Sequence, residues 1–356
     1  FFSHRPIPFS THLGGDILQK NVSINILEML PIDKQILEKR HDLQKMVHKY
    51  GLKTIVEWIN ESVDGSSVPK VRGVQFKALF EELKKDTNMK SLLVSNKYVK
   101  LTHFIASNVL KKARRVDHPS IEKVWKSPVL RMKMLQTTIP GLRLKTLDEK
   151  SMYRALRTYT RAPSPFGPRR ARNIWLLLSK LCKGPFMGRV LDTSSGWGDR
   201  LIGAASLDLY YHGIEPSSGL HEVYSKIVSL TGAKCKICRG RSEETFCYPT
   251  EQVDVCFTSP PYFDTEIYHG VDTDWKSMDE YLSTFMLPTL RHMYKSTRRG
   301  GVVCINMAVK EGEFDWRRWW KKQCSELNSD PKIIKLPKRS NMKTKSLEYL
   351  FIMLKR

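Results

Sequence analysis

Two short apolar runs end abruptly, in residue sets that a strand interior does not tolerate, and they restrict this chain to an open α/β sheet. The first, Gly188-Arg189-Val190-Leu191-Asp192, leads into Thr193-Ser194-Ser195-Gly196-Trp197-Gly198-Asp199-Arg200-Leu201 and a helical Ile202-Gly203-Ala204-Ala205. The second, Val253-Asp254-Val255-Cys256-Phe257, stops at Thr258-Ser259-Pro260-Pro261-Tyr262. From Leu156 onward strand and helix patterns alternate, which predicts a parallel sheet. Further strands are expected at Leu209–Ile214, Gly300–Ala308, Ile333–Leu336 and Glu348–Leu354, the last two as a closing hairpin. With a third strand placed ahead of Glu243 and Glu244, seven strands result, with a helix over Met278–Tyr294. Both strand ends then lie at the carboxyl edge of the sheet, where such sheets bind ligands.

The Pro-Pro pair fixes φ and supplies no N–H, so its backbone is stiff and turns carbonyls outward. A polar Ser259 side chain and the Pro260 carbonyl can accept both hydrogens of an exocyclic amino group. Tyr262 offers a face for a planar ring, a contact of about 1–3 kcal/mol per base. On the first strand, glycines at a strand-to-helix turn let the backbone pass close to a ligand. Two glycines without a third make a poor dinucleotide fingerprint and suit a cofactor lacking pyrophosphate, such as S-adenosylmethionine. Glu215, at the tip of the next strand, is placed to accept from both ribose hydroxyls.

In this order the segments resemble the catalytic core of S-adenosylmethionine-dependent amino-methyltransferases of the DNA adenine-N6 and cytosine-N4 type. The resemblance is strongest to phage- and virus-borne members, which pair a Gly-Trp-Gly-x-Arg-Leu turn with a Thr-Ser-Pro-Pro-Tyr-Phe-Asp-x-Glu-x-Tyr stretch. Here that stretch runs from Thr258 to Tyr268, and the similarity covers about residues 157 to 356. Asp199 departs from the glycine often found in the family. The resemblance implies a Rossmann-like seven-stranded α/β methyltransferase sheet, with S-adenosylmethionine as cofactor. Asp192, Ser194, Gly196 and Gly198 would line its methionine part and Glu215 its ribose. Phe166, in Ser164-Pro165-Phe166-Gly167-Pro168, matches the segment that closes over that site. Ser259, Pro260, Pro261 and Tyr262 would carry the chemistry, and Phe263 would shape the same pocket. Asp264, Glu266 and Tyr268 would order the loop or touch a neighbouring nucleotide. Glu243 or Glu244 could approach the adenine ring. A serine at the first motif position does not choose between adenine and cytosine; the resemblance tilts toward adenine N6 in DNA.

Sixty Lys and Arg against 36 Asp and Glu leave a formal charge of +24, which attracts polyanions without naming one. Basic residues cluster at Lys111–Arg115, Arg169–Arg172, Arg298-Arg299, Arg317–Lys322 and Lys335–Lys345. Arg317 and Arg318 are interleaved with Trp316, Trp319 and Trp320, which suits base stacking or core packing. Residues 1–155 read as a mainly helical recognition or partner-binding domain, ahead of a methyltransferase domain over 156–356. Helices are expected over Ile32–Tyr50, Val74–Lys84 and Lys97–Arg115, with a helix-turn-helix-like break at Tyr50-Gly51-Leu52. With so short an interval between the two motifs, no target-recognition domain fits there. The helical half must do that work, or the enzyme is loosely specific.

Nucleic acid is the expected partner, with DNA preferred and RNA open. A homodimer or a complex subunit are both open too, as is a catalytically silent methyltransferase fold serving in binding or assembly. No run approaches the roughly 18 apolar residues of a membrane span, and no secretory signal opens the chain, so a soluble protein is expected. Seven cysteines, mostly in apolar contexts, predict reduced thiols and an intracellular compartment. Cys235, Cys238 and Cys247 lack the further ligands a zinc site needs.

Overall fold

A computed structural model describes residues 43–356, apart from 62, 64–67, 70–73, 89–95, 116, 142–148, 264–265, 268–274, 311–313 and 338–345. The seven-stranded sheet is present. Its strands are β2 (Arg189–Asp192), β3 (Tyr210–Ile214), β4 (Cys235–Cys238), β5 (Val253–Thr258), β7 (Thr297–Lys310), β8 (Ser329–Lys335) and β9 (Ser346–Lys355). Across the sheet they run β4-β3-β2-β5-β7-β9-β8. The pairs from β4 through β7 are parallel, whereas β9 is antiparallel to both β7 and β8. The chain order reverses between β2 and β5, and the crevice beyond their carboxyl ends is the ligand position of such a sheet.

Alternation along the strands separates two cores. Val255, Phe257, Val302, Cys304, Leu350 and Ile352 face one, together with α9 (Pro168–Ser179), α10 (Asp199–Ala205) and α11 (Ser218–Thr231). Leu191, Cys256, Val303, Ile305, Phe351 and Met353 face the other, under α13 (Leu287–Ser296) and α14 (Trp316–Glu326). Trp316 and Trp320 of α14 are buried in this second core, so packing accounts for both.

Packing does not follow chain order in the first 155 residues. The helices α1 (Leu43–Tyr50), α2 (Leu52–Glu61), α6 (Ile121–Lys126), α7 (Pro128–Thr138) and α8 (Glu149–Tyr159) share a core of their own. Gly51, at φ +82°, makes the expected turn between α1 and α2. Ser120 and Ser127 cap α6 and α7 by accepting the Lys123 and Leu130 N–H groups. By contrast, Phe76, Phe80 and Leu83 of α3 (Phe76–Lys84), and Tyr98, Leu101 and Ile105 of α4 (Asn96–Ile105), belong to the core of the sheet.

Three local expectations are corrected. The stretch Lys97–Arg115 is not one helix: after α4 and the short α5 (Ser107–Leu110) the chain turns, and Arg114–Arg115 form β1. There β1 gains backbone partners by antiparallel pairing with β6 (Glu266–Ile267). The helix over Met278–Tyr294 divides into α12 (Met278–Glu280), a π-helical segment at Tyr281–Met286, and α13. Pro288 lies in the first turn of α13 and cannot donate to the preceding turn, which the wider π-turn absorbs. The cysteines are not all thiols, because a 3-10 turn at Thr245–Cys247 brings Cys247 to the end of β4, where it is bridged to Cys238. Among the described residues, no helix is long and apolar enough to cross a membrane.

Candidate active site

The pairing of Val190 with Val255 and Leu191 with Cys256 sets β2 and β5 side by side, so their terminal turns leave the same edge together. A hydrogen bond from Thr258 Oγ1 to Asp192 Oδ1 (3.2 Å) ties the two ends. Asp192 is fully buried and also accepts from Arg200 Nε (2.6 Å), the Tyr211 hydroxyl (2.6 Å) and the Ser194 N–H (3.2 Å). Buried carboxylates persist when paired in this way. Arg200 also donates to the Ser194 carbonyl, so Asp192 and Arg200 together brace the turn from beneath.

Within that turn the two glycines have different work. Gly196, at φ +57°, donates its N–H to Glu215 Oε2 at 3.0 Å, and its carbonyl accepts from the Tyr224 hydroxyl at 2.6 Å. Gly198, at φ +86°, packs against α11: a Cβ there would stand 2.3 Å from Ile227 Cδ1. Glu215 also accepts from the Ser217 N–H at 3.0 Å and is almost wholly enclosed. Burial pushes its carboxyl up to about 7, against the Ser217 and Gly196 N–H groups, which favour the charged form. An acidic group held in this state is satisfied further by hydroxyl donors.

Asp199 is 2% exposed. Buried at the start of α10, it accepts from Thr102 Oγ1 of α4 (2.5 Å) and from the Phe166 N–H (3.1 Å). Burial raises its carboxyl above the usual range, while Thr102, the backbone at Gly167 and 166, and Arg200 oppose the rise. This carboxylate is therefore a tie between the first-strand turn, the Phe166 segment and the N-terminal half. The Phe166 ring lies 5.8 Å from that of Phe257, and the Arg170 and Arg200 guanidinium groups approach it at 4.6 and 5.5 Å.

On the second strand end, Ser259, Pro261, Tyr262 and Phe263 are half-buried and Pro260 is buried. The Tyr281 hydroxyl, from the π-helical segment, donates to the Pro261 carbonyl at 2.9 Å. Among the described residues, no donor reaches the Pro260 carbonyl, and the Ser259 side chain makes no hydrogen bond. Tyr262 and Phe263 pack at the margin of the second core, with the Phe263 and Tyr281 rings 6.0 Å apart. Arg317 and Arg318 are exposed at the start of α14, beside Trp316, whose ring is 6.3 Å from Tyr281. Arg317 donates to the Tyr349 hydroxyl at 2.6 Å. Glu243 and Glu244 are both tied to Arg241. Asp264 and Tyr268 lie outside the described residues.

Thr102, Tyr224, Tyr281 and Asn306 were not expected here. Asn306 follows Ile305, the register partner of Thr258, so it stands abreast of Ser259. It is 1% exposed, its Nδ2 donates to the Tyr349 carbonyl at 3.1 Å, and its Oδ1 has no partner. Its one sequence signal is an amide in the otherwise apolar Val302–Ala308 run. The other three bond across distances that leave no pattern in the chain. Among the described residues, no three His, Cys, Asp or Glu side chains gather as a metal site.

No family model matches the chain, and no curated protein matches it. Solved structures do. A candidate class I S-adenosylmethionine-dependent methyltransferase from Listeria monocytogenes is 15% identical, covering 79% of this chain and 88% of that one, with a TM-score of 0.42. A candidate RNA methyltransferase from Pyrococcus horikoshii is 18% identical over 53% of this chain and 84% of its own, at 0.36. An rRNA methylase from Streptococcus thermophilus is 12% identical over 50% and 91%, at 0.34.

Proposed function

We propose that this protein transfers a methyl group from S-adenosylmethionine to the exocyclic amino nitrogen of a nucleobase, adenine N6 in DNA. The observation that carries the reading is the division of labour at the Pro-Pro turn. Tyr281 occupies the Pro261 carbonyl, while the Ser259 side chain and the Pro260 carbonyl are left as acceptors at the carboxyl edge of the sheet. They adjoin the turn braced by Asp192 and Arg200.

The residues present fit the cofactor. Gly196 keeps the backbone of the turn clear, Glu215 is an enclosed acceptor for a diol, and Phe166 lies on the same side of the sheet. When bound, S-adenosylmethionine supplies a methyl group activated by its sulfonium. The chain's own part is to hold the nucleophile. An aromatic amine is a poor nucleophile because its lone pair is delocalised into the ring. Hydrogen bonds from the amino group to Ser259 and the Pro260 carbonyl favour a tetrahedral nitrogen and release that pair. No strong base is required, since placing the nitrogen in line provides much of the rate and the methylated nitrogen, cationic after transfer, is acidic enough to release its extra proton to water. Tyr262 stacks on a base that has left its helix, because the amino group is out of reach inside a duplex. Asp192 and Arg200 act by positioning the turn, and Asp199 by fixing Phe166 beside it.

The net charge of +24 supports a nucleic-acid substrate, and the helical N-terminal half is the region available for recognising it. The test is nucleoside analysis of DNA incubated with the protein and S-adenosylmethionine. N6-methyladenine is the expected product. N4-methylcytosine would move the target to cytosine, and no methylated nucleoside would overturn the reading.

A further inference from the structure

The β1–β6 pairing brings a basic segment from the first third of the chain onto the loop that leaves the Ser-Pro-Pro-Tyr turn. Arg114 is opposite Ile267 and Arg115 opposite Glu266. Glu266 follows Ser259 by seven positions (266 − 259), which bounds their separation at about 25 Å even for a fully extended chain. Lys111 and Lys112 form the turn just before β1. Lys112 and Arg114 are exposed, and Lys111 and Arg115 are half-buried. The segment is anchored on both sides: Ala113 is buried in the core of the sheet, and the Lys111 carbonyl accepts the Glu122 N–H at 2.9 Å. Upstream, the same segment carries Thr102, bonded to Asp199. One stretch, 96–115, is thus fixed to the first-strand turn at one end and to the substrate-side loop at the other. Among the described residues, this basic cluster is paired by backbone to that loop.

We propose that Lys111, Lys112 and Arg114 form a binding strip for the phosphodiester backbone of single-stranded DNA, next to the base presented at Ser259. The inference rests on the nucleobase reading above. A base held at Ser259 has left its stack, so the strand around it passes the site as a single strand. Cations on a fixed strip beside the exit loop meet its phosphates within a few nucleotides of the target. Among the described residues, Asp117 lies within the strip, Glu266 is paired with it and Glu122 is bonded to Lys111 by its N–H, against the four cations Lys111, Lys112, Arg114 and Arg115.

The test is equilibrium binding of a fluorescent single-stranded DNA oligomer between 50 and 200 mM salt, which needs no methyl transfer to be read. Each phosphate contact on a single strand adds about 0.7 to the slope of log K against log salt. The triple variant Lys111→Gln, Lys112→Gln, Arg114→Gln should therefore lose about 2 from that slope. The gap between wild type and variant should change by about 16-fold over the fourfold salt range. A control with Lys45→Gln, Lys53→Gln and Lys332→Gln removes the same charge from exposed positions elsewhere and should keep the wild-type slope. Equal slopes for strip variant and control overturn the proposal. A slope loss seen with the matching RNA oligomer and absent with DNA overturns the choice of polymer. Should the triple variant unfold, Lys112→Glu alone is read the same way: a loss of about 0.7 or more supports the strip, and no change refutes it. Absence of methylated product alongside the expected slope loss would leave the strip standing and bring down the catalytic reading alone.

Discussion

Replacing Glu215 with Gln separates the folding cost of this carboxylate from its use. Burial moves its pKa from an ordinary 4.5 to about 7. At about 1.4 kcal/mol per pH unit, the ionised group then costs the fold about 3 kcal/mol. Because the folded value is raised, this stability is fully present below about pH 4.5. It declines as pH rises and is lost above about 7. Gln does not titrate, but it has one oxygen for two donors, the Gly196 and Ser217 N–H groups. One of them then faces an amide NH2, a pH-independent cost of about 1–3 kcal/mol. The difference in unfolding free energy, wild type minus Glu215→Gln, should therefore fall by about 3 kcal/mol between pH 4.5 and 8. Urea unfolding of both proteins at half-unit pH steps reads this directly, and the subtraction cancels groups common to both, such as Asp199. A difference flat to within about 0.5 kcal/mol would show that Glu215 is solvated in the free protein, and the reasoning from its burial would fail. The same logic sets a binding profile. Ribose hydroxyls favour the ionised form, so wild-type affinity for S-adenosylmethionine should rise about tenfold per pH unit from 5 toward 7 and then level. The variant should bind weakly and without that pH dependence.

Asp199→Ala leaves the Thr102 hydroxyl and the Phe166 N–H unpaired and should lower unfolding free energy by about 2 kcal/mol, measured in urea. Gly198→Ala combines a left-handed φ, worth about 1–2 kcal/mol, with a collision against Ile227 Cδ1. It should cost about 3 kcal/mol or more, and adding Ile227→Val, which lacks that carbon, should recover part of the loss in the thermal midpoint. Tyr281→Phe removes the donor that holds the Pro261 carbonyl. As a positioning change it should lower kcat about tenfold while leaving the Kd for S-adenosylmethionine unchanged; a shift in Kd without a change in kcat would contradict that role.

Strand ends were legible because they combine two strong local rules, period-two apolar alternation and the intolerance of strands for proline. The two turns that meet at the β2–β5 reversal follow from those rules, whereas β8 carries Pro331 within it, which an edge strand tolerates, and β4 gave no bounds of its own in the sequence. What the chain did not reveal depends on long-range pairing. Thr102 and Asp199 are 97 positions apart and bear no mark of belonging together, so the buried tie between them was not legible. The α3 and α4 stripes predicted helices correctly but could not say that their apolar faces complete the core of the sheet. The Lys97–Arg115 run read as helical throughout because its local pattern favours a helix, whereas strand pairing with Glu266–Ile267 claims its last residues. For Trp316 and Trp320, stacking and packing share one spacing, and only burial separates them.

The most direct measurement is transfer of labelled methyl from S-adenosylmethionine to single-stranded DNA, duplex DNA and total RNA in parallel, with wild type and Ser259→Ala. The account predicts label in DNA, and a loss of about 10- to 100-fold in the variant with its cofactor affinity intact. Equal transfer by both proteins would remove Ser259 from the chemistry. No label on any polymer, with salt-sensitive binding retained, would contradict the enzyme and leave a nucleic-acid-binding protein on an open α/β sheet.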